Sequence, residues 1–177
     1  MRHSVLLAAA VAALACLAAC GSTPPTQKEA SGSSATADTP LIARGEAGRA
    51  TAIEVTITDV TARLQLGAAP ATLKAEAGET YVIVSYTLKN TGTAPLPLME
   101  RPSLSLVDGK GQTYSPDQMA SMMAAVALDD PSGMAADLNP NVSAKNKAAW
   151  KVDKAAFDKA TWRLVLASDP QLTFSLK

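Results

Sequence analysis

Residues 81 to 92, Tyr-Val-Ile-Val-Ser-Tyr-Thr-Leu-Lys-Asn-Thr-Gly, constrain the fold more than any other stretch of the chain. Val82, Val84, Tyr86 and Leu88 repeat at period two, the spacing that places side chains on one face of a strand. The odd positions begin apolar at Tyr81 and Ile83 and become polar at Ser85 and Thr87, as a strand's second face does when it leaves a core. Asn90-Thr91-Gly92 then supplies turn chemistry, with glycine free to take positive φ. A strand of this kind must find partners, because one strand or one hairpin is not stable alone.

Candidate partners follow from the same period. Ile53, Val55 and Ile57 alternate with Glu54, Thr56 and Thr58, and Leu104 and Leu106 share one side of Ser103 to Val107. Asp108-Gly109-Lys110-Gly111 is hairpin-turn chemistry ahead of Gln112-Thr113-Tyr114. Three late sets alternate as well: Ala148, Trp150 and Val152; Trp162, Leu164 and Leu166; Leu172, Phe174 and Leu176. Turn signals at Asp153-Lys154 and Ser168-Asp169-Pro170 separate them. Pro95 and Pro97 confine their segment to a sheet edge or to no sheet, since proline donates nothing to a ladder. The pattern predicts an all-β fold over residues 50–177, an immunoglobulin-like antiparallel β-sandwich of seven or eight strands, with Trp150 and Trp162 as core aromatics.

One segment breaks the alternation. Ser115-Pro116-Asp117 reads as a helix cap, a proline at the first helical position and an acid in the first turn. Met119, Met122, Met123 and Val126 follow at i, i+3, i+4 and i+7, and Asp129-Asp130-Pro131 supplies a stop. The spacing predicts one short helix near residues 116–128, inserted between strands. Its methionine face is either core or a candidate partner-binding surface. Thioethers suit Cu(I), but helical spacing explains these methionines without a metal. Asp129, Asp130 and Asp137 lack the spacing of a calcium loop, so no metal is expected.

The beginning of the chain supplies an address. Met1-Arg2-His3 is followed by an uncharged run from Val5 to Ala19, short of the roughly 20 apolar residues a membrane-spanning helix needs. Leu17-Ala18-Ala19-Cys20 resembles the bacterial lipobox, in which small residues fit the lipoprotein signal peptidase and the cysteine becomes the acylated first residue. Small residues also precede ordinary secretory cleavage sites; the cysteine after the small pair, with leucine three residues before it, favours the lipobox. Residues 1–19 are then a removed signal peptide. Residues 20–49, rich in Ser, Thr, Gly, Ala and Pro, form a lipidated cysteine and a flexible linker with a typical reach of roughly 30 Å.

Cleavage there would remove His3, the single histidine, and Cys16, one of two cysteines. No imidazole would remain for a serine triad, a zinc site or base catalysis near neutral pH. No pair of carboxylates can be nominated, and Ser143-Ala144-Lys145 is too generic to suggest Ser–Lys chemistry. Sixteen basic and sixteen acidic side chains without a basic block argue against nucleic acid as a partner. The expectation is a protein that is not an enzyme and carries no cofactor.

The order of these signals resembles a family of bacterial lipoproteins carrying the immunoglobulin-like domain of unknown function 4352. The resemblance rests on Tyr81 to Gly92, on Leu106-Val107-Asp108-Gly109-Lys110-Gly111-Gln112-Thr113-Tyr114, and on Leu138-Asn139-Pro140-Asn141 ahead of Trp150. Asn141 stands where the family usually has glycine, which asparagine can replace because it also visits the left-handed region. The resemblance implies a β-sandwich at the cell envelope, without enzyme activity or cofactor, and no particular ligand. Two functions fit: a membrane-anchored, non-catalytic binding or adaptor module, or a structural or stress-related envelope lipoprotein without a specific ligand. The partners expected are membrane lipid, through acylated Cys20, and another envelope protein. Gly21 and Ser22, in place of an aspartate after the cysteine, point to the outer membrane if the host has two membranes.

Overall fold

Alternation decides which side of each strand turns inward, and the central strand shows it best. A computed structural model of the chain describes residues 40–126 and 137–177, which lie in one unit, Thr36–Lys177. Strand β6 (Glu79–Asn90) pairs antiparallel with β3 (Ile53–Arg63) on one side and β9 (Ser143–Asp153) on the other. With β2 (Ala47–Ala50) beside β3 they form a four-stranded sheet in the order β2-β3-β6-β9. Opposite lies a five-stranded sheet, ordered β1 (Leu41–Ile42), β11 (Leu172–Ser175), β10 (Arg163–Leu166), β7 (Leu104–Val107) and β8 (Thr113–Tyr114).

The residues predicted to face inward do so. Val55, Ile57, Val82, Val84 and Trp150 from the first sheet meet Leu106, Leu164, Leu166 and Phe174 from the second, all buried in one core. Trp150 and Trp162 are both core aromatics whose indole N–H groups are satisfied, donating to Tyr114 O and Ala156 O at 3.0 Å each. The Tyr114 ring stacks on Trp162 at 5.0 Å, and Phe157 meets Trp162 edge-on at 5.3 Å.

The Asp108 turn forms as its chemistry requires, whereas Gly92 of the Asn90 turn does not take positive φ and instead lies where a Cβ would crowd Ala52. Asp108 Oδ1 accepts from the N–H groups of Lys110 and Gln112 at 2.8 Å each, and Gly111 takes a φ of 85°. Asn90 is buried and ties three segments together: its Nδ2 donates to Ala94 O and Leu138 O, and its Oδ1 accepts from Gly92 N. Asn141 adopts a φ of 63°, the left-handed conformation expected of an asparagine standing in for glycine.

Three expectations need correction. Among the described residues the two sheets hold nine strands against the seven or eight expected, because β1 and β2, of two and four residues, are too short to show a period. One pairing, β1 with β11, is parallel. Leu41–Ile42 and Ala47–Ala50, expected within the linker of residues 20–49, belong instead to the two sheets. Their sequence looks like linker for a structural reason: Gly48 lies where a Cβ would collide with Phe174 and Ile42, so a small residue is required in the strand.

The predicted helix is present as α1 (Gln118–Ala125), and its cap is Asp117 instead of Ser115. The Asp117 N–H is committed to Ala149 O at 2.8 Å, which keeps the backbone extended through that residue. Its carboxylate accepts from Ala120 N at 2.8 Å, and aspartate caps as well as serine. Residues 127 and 128 of the predicted helix, together with Asp129 and Asp130, lie outside the described residues. So do Leu17, Ala18, Ala19 and Cys20. Among the described residues no helix is long and apolar enough to cross a membrane.

Candidate functional site

The odd positions of β6 face away from the sandwich core, and the apolar pair Tyr81 and Ile83 must be covered there. Two elements do this. One is α1; the other is a hairpin of β4 (Gln65–Ala68) and β5 (Ala71–Lys74), which pair through Leu66↔Leu73. Leu66, Tyr81, Ile83, Ala120, Ala124 and Ala149 form a second buried cluster, with Leu73, Ala75 and Met123 at its margin. The odd face of β6 therefore enters a second core before it becomes polar.

Small residues and hydrogen bonds hold the cover in place. Ala120, Ala124 and Ala125 are the buried residues of α1. Ser121 Oγ accepts from Ala149 N at 2.9 Å and donates to Ala149 O at 3.4 Å, so the helix satisfies the edge of β9 at that residue. Gly67 has a φ of +76°, and a Cβ there would run into Met123 Cε and the Ala71 carbonyl oxygen. The hairpin can approach Met123 because this position is glycine.

The methionine face divides. Met119, Met122 and Val126 are 55%, 52% and 76% exposed, whereas Met123 is half-buried against the second cluster. The helix turns its alanine stripe inward and leaves most of the methionine stripe to solvent. Of the two readings left open for the methionine face, Met123 fits the packed one, and Met119, Met122 and Val126 are exposed.

Beyond the cover, the outer face is an open furrow. A cavity of about 280 Å³ lies between Leu66, Gly67, Met123 and Ala124 of the cover and Asp59, Arg63, Ile83, Ser85 and Lys147 of the sheet, with Thr61 and Gln65 on its rim. A second hollow of about 290 Å³ shares Ser85 and Lys147 and extends to Thr58, Thr87 and Lys145. A β-bulge between Ile57 and Asp59 lets Thr58 Oγ1 donate to Ser85 O at 3.0 Å and shapes this floor.

The electrostatics of the furrow are uneven. Asp59 has a distant cation in Arg44 at 3.8 Å, and Glu54 is held by Arg49 at 2.7 Å. Among the described residues the side chains of Arg63, Lys145 and Lys147 have no carboxylate partner. Lys151, further along β9, is paired with Glu79 at 3.4 Å, and that hydrogen bond raises its pKa. Burial pushes the Tyr86 phenol up to about 12, against the pull of the Arg101 guanidinium, so this tyrosine is neutral under ordinary conditions. The furrow offers cations, hydroxyls and an apolar end, a set that can hold an anionic partner. Among the described residues no three histidine, cysteine or carboxylate side chains converge.

Sequence reading missed this region apart from Met123. Arg63 and Lys147 belong to strands that only the β3-β6-β9 pairing brings together. One signal was available: Lys145, Lys147 and Lys151 alternate with Ala144, Asn146, Ala148 and Trp150, so the late strand could have been extended back to Ser143.

The fold and the furrow define a β-sandwich domain with one half-covered outer face. The domain of unknown function DUF4352 matches residues 42–170, and the chain belongs to that family. It is 38% identical over 117 residues to the uncharacterized protein YxkC of Bacillus subtilis (strain 168), a match covering 66% of this chain and 65% of that protein's length. A conserved hypothetical protein from Bacillus anthracis superposes with a TM-score of 0.65 at 23% identity, over 77% of this chain and 95% of the other. The yjhA protein of Bacillus subtilis gives 0.53 at 14% identity, over 77% and 100%. A β-sandwich protein from Clostridium difficile 630 gives 0.51 at 12%, over 78% and 96%. These structures share the fold.

Proposed function

We propose that the chain is a membrane-anchored envelope lipoprotein whose β-sandwich acts as a non-catalytic binding or adaptor module. The observation that carries this reading is the furrow on the outer sheet face, with Arg63, Lys145 and Lys147 unpaired beside an apolar wall. Unpaired cations at a concave surface attract an anionic partner and speed its encounter. The exposed side chains of Met119 and Met122 border the same cover and add apolar contact area. The lipobox supports an anchor at Cys20, and two or more acyl chains hold a protein stably where one binds reversibly. The domain then faces its partner from the end of a linker, on the outer side of the cell membrane or, in a host with two membranes, at the outer membrane.

The test is photo-crosslinking in host cells with a reactive residue at Met122, on the exposed side of α1, against a control at Lys110 in the hairpin turn. A discrete adduct with another protein at Met122 alone supports the module. Adducts at neither position favour the structural lipoprotein without a ligand. The anchor is tested separately. Cys20→Ala is expected to leave the protein uncleaved or soluble, and unchanged membrane fractionation together with no fatty-acid label on the wild type would overturn lipidation.

A further inference from the structure

Strand β9 is an edge of the four-stranded sheet, and its outward backbone groups are treated unequally. In an antiparallel pair alternate residues direct N–H and C=O away from the partner strand. Ala149 is such a residue, because its N–H and C=O bond to Ser121 Oγ and Asp117 N. Lys147 and Lys145 share its parity. Among the described residues their outward N–H and C=O groups meet neither helix nor loop nor strand. The α1 helix thus closes this edge at residue 149 and leaves the next two rungs open.

An open edge is a template for strand addition, and natural edges are commonly blunted by lysine. Lysine blunts an edge selectively. Two copies of β9 pairing with each other would bring Lys145 and Lys147 close to their own counterparts, and like charges opposite one another destabilise a ladder. A strand carrying acids at alternate positions would place them beside the same lysines, on the sheet face that bears the furrow. Charge thus excludes a second copy and selects an acidic occupant.

We infer that the Lys145–Lys147 edge of β9 receives an extended acidic peptide segment of a partner protein as an added strand, its acidic side chains lying over the furrow. This rests on the binding-module reading and names the partner's chemistry. Main-chain hydrogen bonds would hold the peptide, and alternate side chains would set specificity.

The test uses the full chain in its host cells, with a photoreactive residue at Ser143, which is exposed at the start of β9. The expected result is an adduct with another protein whose crosslinked segment has acids at alternate positions. In Lys145→Pro the adduct should fall about fivefold, the loss expected for one missing hydrogen bond, beyond any fall in Lys145→Gln, which removes only the charge. Proline is tolerated where a strand's N–H faces outward, and thermal unfolding of the variant checks this. The doubly reversed variant Lys145→Glu, Lys147→Glu keeps every backbone donor and should lose the adduct altogether. An adduct with a second copy, or one unaffected by these variants, overturns the inference. An adduct at Met122 without one at Ser143 also overturns it and leaves the module intact. Adducts at neither site remove both.

Discussion

The two faces of the four-stranded sheet are built on different terms. The inner face closes against a whole second sheet, with Val82, Val84 and Trp150 packed on Leu106, Leu164 and Phe174. Among the described residues the outer face is covered at one end only, by an alanine-lined helix and a short hairpin, and is open beyond them. Bulk holds the first; close approach and hydrogen bonds to one edge residue hold the second. The sandwich can therefore be expected to fold without the cover, while the cover depends on the sandwich. Regions with few buried apolar side chains open at lower free energy than the core.

The hardest way to break this contrast is to strike the inner face. Trp150→Ala should cost about 3–5 kcal/mol, and it also strips Tyr114 O of its indole donor. Equilibrium urea unfolding measures it. Both faces should be lost in one transition, because β9 carries Trp150 inward and Ala149 outward. A cost below about 1 kcal/mol would mean that the inner face does not determine the fold.

Gly67→Ala strikes the cover. The residue has positive φ, and its new methyl group would collide with Met123 and the Ala71 carbonyl. A loss of about 1–3 kcal/mol is expected from backbone strain and overpacking. Hydrogen exchange should localise it: amides of residues 118–125 and of Ala149 exchange faster, while Val84 and Leu164 stay protected. Equal acceleration in both sheets would show that the cover and the sandwich unfold as one.

These faces also differ in how far they were legible. The inner face follows a period of two through Ile53, Val55 and Ile57 and through Val82 and Val84, and each of these side chains is buried. The cover has no such signal. Gln65–Ala68 and Ala71–Lys74 contain a single leucine each, so nothing in them alternates. The trace of a cover was on the sheet itself, where Tyr81 and Ile83 are apolar on the second face and need shielding. The helix was legible by its period and its cluster of start signals, though Asp117 and not Ser115 is the cap, and its inward stripe was not legible, because alanine contributes closeness instead of hydrophobic bulk. The furrow was the least legible part. Its cations come from separate strands, and nothing local marks Arg63 or Lys147 as unpaired.

Ser121→Ala sharpens the comparison at the point where cover meets edge. The hydroxyl accepts from Ala149 N, a group buried under α1, and its removal leaves that donor unsatisfied. About 1–2 kcal/mol should be lost, within the range for an orphaned buried polar group. The Ala149 amide should exchange faster than in the wild type. Unchanged exchange there would show that small-residue packing alone attaches the helix.

The smallest effect separates two neighbouring methionines. Met123 is half-buried between Gly67 and the second cluster, so Met123→Ala removes part of the contact a fully buried methionine would make. About 1 kcal/mol should be lost, below the 2–5 kcal/mol typical of a buried site. Met122→Ala, on the exposed side of the same helix turn, should change stability by less than about 0.5 kcal/mol, as surface substitutions do. Paired thermal unfolding of the two variants decides between two views of the helix. If Met122 costs as much as Met123, the methionine stripe is held by contacts within the domain and is not available to a partner. If only Met123 matters, α1 uses its inner side for the sheet and leaves its outer side free, so that any loss of crosslinked partner in Met122→Ala reports on docking and not on folding.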